Sequence, residues 1–123
     1  MDKNGIRSID PEIESIYVRD KKNWTSKTLR EFADARNYDV FDLPLKAIDL
    51  SVMPFDCRNM QEFIFQVKRL NKVNFDIPII LDDKGRIADG NHHIVRAFLE
   101  GKDSVKAVRL LEMPYPDNLP VEK

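Results

Sequence analysis

The sequence predicts a single mixed α/β (α+β) domain, and three features lead to that reading. Ile77-Pro78-Ile79-Ile80-Leu81 is an apolar run of strand length, Ser104-Val105-Lys106-Ala107-Val108-Arg109-Leu110-Leu111 alternates, and other stretches place apolar residues at helical spacing. A chain of 123 residues with 42% hydrophobic content suffices for one core.

Residues 1 to 24 are polar and weakly patterned, although Asp10-Pro11-Glu12 suits the first turn of a short helix. Thr25 or Ser26 then caps a helix running to Asn37, with Leu29, Phe32 and Ala33 on one face. The stretch from Leu43 to Leu50 alternates loosely and predicts a strand with Pro44 near its start. Asn59 with Glu62 three residues later resembles a capping box, and Met60, Phe63, Ile64, Val67 and Leu70 follow at helical spacing. Asp82-Asp83-Lys84-Gly85 forms a turn between the Ile77–Leu81 strand and a short return strand, Arg86-Ile87-Ala88; no chemistry is assigned to the acidic pair. A last helix opens at Asn91, with Gly101 placed as its C-terminal cap. The chain thus divides into an N-terminal extension with a helix (1–41), the main domain (42–112) and a proline-rich tail (113–123).

Composition narrows the function. Twenty basic against twenty-one acidic residues give a formal net charge of −1, without the basic surplus expected for holding extended nucleic acid through its phosphates. No apolar run reaches the length of a membrane span. The start Met1-Asp2-Lys3-Asn4-Gly5 lacks the apolar core of a secretory signal, and the lone Cys57 makes no internal disulfide, so a cytoplasmic setting is expected.

Function is expected at Asp89-Gly90-Asn91-His92-His93, where a glycine turn delivers a strand into a helix start. Unpaired amides and the positive end of a helix favour an anion, phosphate above all. Gly90 supplies a left-handed turn and is expected to let a ligand approach closely. Asp89 is either a cap or a magnesium ligand. His92 and His93, the only histidines, are read as ligand contacts, neutral in the empty protein at pH 7 and charged by bound phosphate, so that affinity rises as pH falls. Arg96, four residues beyond His92, either reaches back to a phosphate or pairs with Glu100. Cys57 is assigned to packing, a structural zinc is rejected, and Trp24, Phe41 and Phe55 are assigned to the core rather than to a base-stacking wall.

The segment PIILDDKGRIADGNHHIVRAFLEG followed by SVKAVRL resembles the ParB/sulfiredoxin-like superfamily, in particular ParB N-terminal-like domains with a DGNHR-type turn. Pro78-Ile79, Asp89-Gly90, His92, Ala97 and Gly101 carry the resemblance, which spans residues 42–111. It implies a small mixed sheet with helices and a nucleotide over the turn, its phosphates at the helix start. Members include a CTP-dependent segregation switch, an ATP-using sulfinic-acid reductase and a free-serine kinase, and nuclease activity is ascribed to some. Asn91 stands where sulfiredoxin carries its nucleophilic cysteine, so sulfinic-acid reduction is not expected. Asn91, His92 and His93 also replace the glutamate and arginines of the ParB turn, and with no helix-turn-helix expected after it, centromere-type DNA reading is not expected. Basic residues of relatives place Lys46 and Arg58 as further candidates for closing the cradle.

The expectation is therefore a nucleoside-triphosphate-binding domain, a slow NTPase (a hydrolase) or a phosphotransferase. Gly90, Asn91, His92, His93 and Arg96 would hold phosphate, with Mg²⁺ on Asp89. A non-enzymatic protein-binding or regulatory module is the alternative, and a ParB-like nuclease the third reading.

Overall fold

The computed structural model describes residues 16–118; the expected Asp10-Pro11-Glu12 helix start and Pro120 lie outside them. Strand β1 (Ile16–Arg19) and β2 (Lys22–Thr25) form an antiparallel hairpin and lead into α1 (Ser26–Arg36). Then come β3 (Phe41–Pro44), a single 3₁₀ turn (Leu45–Ala47) and α2 (Met60–Asn71). Strands β4 (Ile79–Leu81) and β5 (Ile87–Asp89), helix α3 (Asn91–Leu99) and β6 (Ser104–Arg109) complete the described chain. It is a small mixed α/β domain with two sheets and three α-helices among the described residues.

The main sheet has strand order β3-β6-β4-β5, in which only β4 and β6 run parallel. Strand periodicity sorts its side chains into two cores. Ile79, Leu81, Val105 and Ala107 face Leu45 together with Ile94 and Ala97 of α3. Ile80, Val108 and Leu110 face the other way, against Trp24, Leu29 and Ala33. Residues that composition sets apart as an extension therefore supply one cover of the sheet.

The helix ends follow the sequence signals. Thr25 accepts from the Thr28 amide at 3.2 Å, and Asn37 closes α1 in the left-handed conformation. Asn59 caps α2 by accepting from Glu62 N–H at 2.9 Å, although the Glu62 carboxylate returns to the Arg58 amide rather than to Asn59. Gly101 (φ +71°) ends α3, with Lys102 N–H donating to the Ala97 carbonyl at 2.9 Å.

Three expectations need correction. The strand read from Leu43 to Leu50 stops at Pro44, because the chain turns where the Leu45 amide donates to the Asp103 carbonyl at 2.9 Å. The weakly patterned stretch before Trp24 contains the β1–β2 hairpin, turned by Asp20 and Lys21, both at positive φ. Cys57 is exposed rather than packed.

The hairpin is fastened by the acidic turn to which no role was given. Asp82 is fully buried, and its Oδ1 accepts from the Lys84 and Arg86 amides, each at 2.8 Å. Its Oδ2 accepts from the Tyr17 hydroxyl at 2.7 Å and from Arg19 at 2.9 Å, while Arg19 also donates to Asp83 at 2.6 Å. Burial alone would raise the Asp82 carboxyl; Tyr17, the two amides and Arg19 outweigh it and hold it below its ordinary value. Removing one partner of a buried pair leaves the other charge stranded, so Asp82→Ala is expected to cost about 3–5 kcal/mol in urea unfolding. A loss under about 1 kcal/mol would show that the hairpin docks without this carboxylate.

Candidate functional site

Strand β5 ends at Asp89, and Gly90 turns the chain at φ +123° into α3. A Cβ on Gly90 would lie 2.3 Å from Ile79 Cγ2 and 2.5 Å from Ile79 Cβ. Glycine is therefore demanded by the packing of this turn on β4, and Gly90 also lines the cleft beside it. The helical ladder begins with Ile94 N–H donating to the Gly90 carbonyl at 3.1 Å, so the amides of Asn91, His92 and His93 lie ahead of it, at the positive end of α3.

These residues open onto a cleft of about 550 Å³, within the size range of small-molecule sites. Its other walls are α2 and its C-terminal cap (Gln66, Arg69, Lys72), the loop before α2 (Phe55, Asp56) and the start of β1.

His92 is buried and locked. Gln66 gives its amide N–H to the Asp56 carbonyl at 3.2 Å, which turns its oxygen to His92 Nε2 at 2.6 Å. The imidazole thus carries its proton on Nε2 and donates it to Gln66. Its ring stacks on Phe55, with centroids 4.7 Å apart and planes 12° apart. Burial, with Arg69 and His93 nearby, pushes the His92 pKa down to about 4. His93 meets the Asn74 carbonyl at 3.1 Å through Nε2, and burial lowers it as well, against the opposing pull of that hydrogen bond. Neutral histidines at pH 7 were expected. Burial keeps His92 neutral at that pH in the ligand-free protein.

The other candidates are dispersed. Asp89 pairs with Arg30 of α1 at 2.7 Å, and Arg30 also donates to the Pro78 carbonyl at 3.0 Å. That carboxylate lines the cleft but is engaged from the sheet side. Arg96 donates to the Leu70 carbonyl at 2.7 Å and pairs with Glu100, so it caps the end of α2 and does not line the cleft. Lys46 sits in the 3₁₀ turn and lines a separate groove beside Phe98 and Lys102. Arg58 pairs with Glu62 at 3.0 Å in front of α2, outside the cleft lining. Of the three aromatics assigned to the core, Trp24 belongs there, Phe41 is 40% exposed and Phe55 lines the cleft.

Sequence reasoning missed Gln66, Arg69, Lys72 and Asp56. The available signal was the polar spacing of Gln66 and Arg69, three residues apart on the side of α2 away from its apolar stripe. Among the described residues no group of three or more His, Cys, Asp or Glu side chains is gathered as for a metal cage, and no helix is long and apolar enough to cross a membrane. No protein-family model matches the chain, and no curated protein or solved structure does either.

Two outcomes follow from this geometry. Gly90→Val should fail at folding, lowering the melting temperature by many degrees, because its side chain meets Ile79 at a backbone angle that β-branched residues avoid. A variant that melts like the parent would mean that β4 yields there. His92 is harder to protonate folded than unfolded, so its contribution is present above about pH 6.5 and is lost as pH falls toward 4. It amounts to at most about 3 kcal/mol. Unfolding free energies across pH 7 to 4 should fall less steeply in His92→Gln than in the parent; equal slopes would contradict a buried neutral imidazole.

Proposed function

We propose that this domain binds a nucleoside phosphate in the α3 cleft, as the ParB/sulfiredoxin-like resemblance implies. One observation carries the reading: Arg69 of α2 and Lys72 at its C-terminal cap line the same 550 Å³ cleft as the first turn of α3. Two cations and the positive end of a helix, converging on one concavity, suit a multiply charged anion. His92 and His93 act as neutral, fixed walls in this reading, and phosphate contact passes to the Asn91–His93 amides, Arg69 and Lys72.

Magnesium would enter on the phosphates rather than in a protein cage, since it commonly uses one or two carboxylates beside them. The cleft offers Asp56 and Asp89, of which Asp89 is held by Arg30. The resulting site is a binding site first; slow hydrolysis or phosphoryl transfer would draw its base from Asp56. A regulatory module that senses nucleotide remains the second reading, favoured by the commitment of both histidines to structural hydrogen bonds. Nuclease action has no such support.

The test is a thermal-shift and calorimetric panel of the four ribonucleoside triphosphates, with and without magnesium. Ligand at about 100 times its Kd should stabilise the fold by about 2.7 kcal/mol, a shift of several degrees. Lys72→Gln should weaken affinity about tenfold or more, as expected for losing a charge-assisted contact, while leaving the unliganded melting temperature within a degree or two. No shift with any triphosphate at millimolar concentration would remove the proposal.

A further inference from the structure

A second concavity adjoins the cleft. It is a groove of about 330 Å³ that shares Pro54, Ile87 and Asn91 with the cleft lining, so the two spaces meet at the first residue of α3. One wall is α3 itself: Asn91, Ile94, Val95, Phe98 and Leu99 recur at i, i+3, i+4, i+7 and i+8, a single side of the helix. Running from residue 91 to residue 99, this wall is about 12 Å long. The segment before α2 supplies another wall, with Ile48, Leu50 and Val52. Cleft and groove differ in chemistry. Asn91 and Asp49 are the polar side chains lining the groove, and Asp49 already accepts from the Ser51 amide at 2.9 Å and the Ser51 hydroxyl at 2.6 Å.

We infer that the phosphate held in the cleft is esterified to an aliphatic chain, which lies in this groove; the inference rests on phosphate binding at the first turn of α3. Helix polarity gives the direction. The positive end of α3, at Asn91, draws the phosphate, whereas the negative end near Leu99 and the Asp49 carboxylate disfavour a second anion. What continues along the groove is therefore uncharged.

The lining then separates a chain from a nucleobase. A base carries several donors and acceptors on its edge, and burying them among Leu50, Val52, Val95 and Phe98 leaves most without partners. An aliphatic chain has none to satisfy. It would also cover Leu50, Val52 and Leu99, which stand 62%, 65% and 73% exposed in the empty protein. A length of about 12 Å suits an extended chain of roughly ten carbons. The nucleoside stays in the cleft, and the phosphate joins the two parts at Asn91.

Calorimetry with the ethyl and decyl esters of the four ribonucleoside monophosphates, and with ethyl and decyl phosphate, tests this below the concentration of micelle formation. Each pair has equal charge and differs only in its chain. The decyl compound should bind at least about a hundredfold more tightly, from roughly twofold or more per methylene partly withdrawn from water. The double variant Val52→Gln, Leu99→Gln changes two exposed groove residues outside the cleft lining. It should reduce that gain at least tenfold while keeping the parent's melting temperature and its affinity for the ethyl esters. Equal affinity of decyl and ethyl compounds overturns the inference and leaves nucleotide binding standing. A gain that survives the double variant overturns it too, since the chain would then be held elsewhere. If decyl phosphate shows the gain and no nucleoside strengthens binding, the chain groove stands and the nucleoside reading falls.

Discussion

Gly90 passes over Ile79 with no space for a Cβ, and that contact sets where α3 starts relative to the sheet. The first turn of α3, following β5 through Gly90, lines the cleft together with Asp89 of β5 and Arg69 of α2. Ile94 and Ala97 then fall into the core under the same constraint. A glycine that lines the cleft is thus also required by its close approach to a strand side chain. The cleft arises as a consequence of how closely helix and strand approach, and its walls inherit the rigidity of the core.

The polar interior of α2 is the counterpart. Burying Gln66 and the imidazole of His92 is tolerable because each satisfies the other and Gln66 completes its pairing on the Asp56 carbonyl. This chain of bonds ties the loop before α2 to the start of α3, with Phe55 stacked across it. The Arg96 contact with the end of α2 closes the same helix pair from its far end. Stability and site geometry are thus built from the same side chains, and a ligand would meet a wall already in place.

Much of the architecture could be read in the residues. Thr25, Asn59 and Gly101 mark helix ends through chemistry that acts within a few residues, and Ile79-Ile80-Leu81 can hardly be anything but a buried strand. What escaped depends on distant partners. The Asp20-Lys21 turn lacks the glycine that usually announces a hairpin, and the hairpin is held by Asp82, more than sixty residues away. Periodicity shows that α2 has two faces but not which one the protein buries; here Gln66 is its buried residue, while Met60, Phe63, Ile64 and Val67 stay exposed. The glycine turn could be located from sequence, whereas Arg69 and Lys72 joined the site through packing that local patterns do not encode. Arg96 had a partner available at Glu100 four residues on, and it took that together with Leu70.

Strand order carries a consequence for how the molecule is made. β6 lies between β3 and β4 in the sheet, yet it is the last strand among the described residues. During synthesis β3 and the β4–β5 hairpin emerge without a common neighbour, and neither can join the other until residues 104–109 have left the ribosome. Trp24 waits longer still, since its indole donates to the Pro114 carbonyl, 90 residues downstream. The nascent chain therefore exposes strand edges and both halves of its core until residues 104–114 have emerged, then closes by inserting one strand. Long-range closure of this kind favours slow, cooperative folding over stepwise growth from the N-terminus.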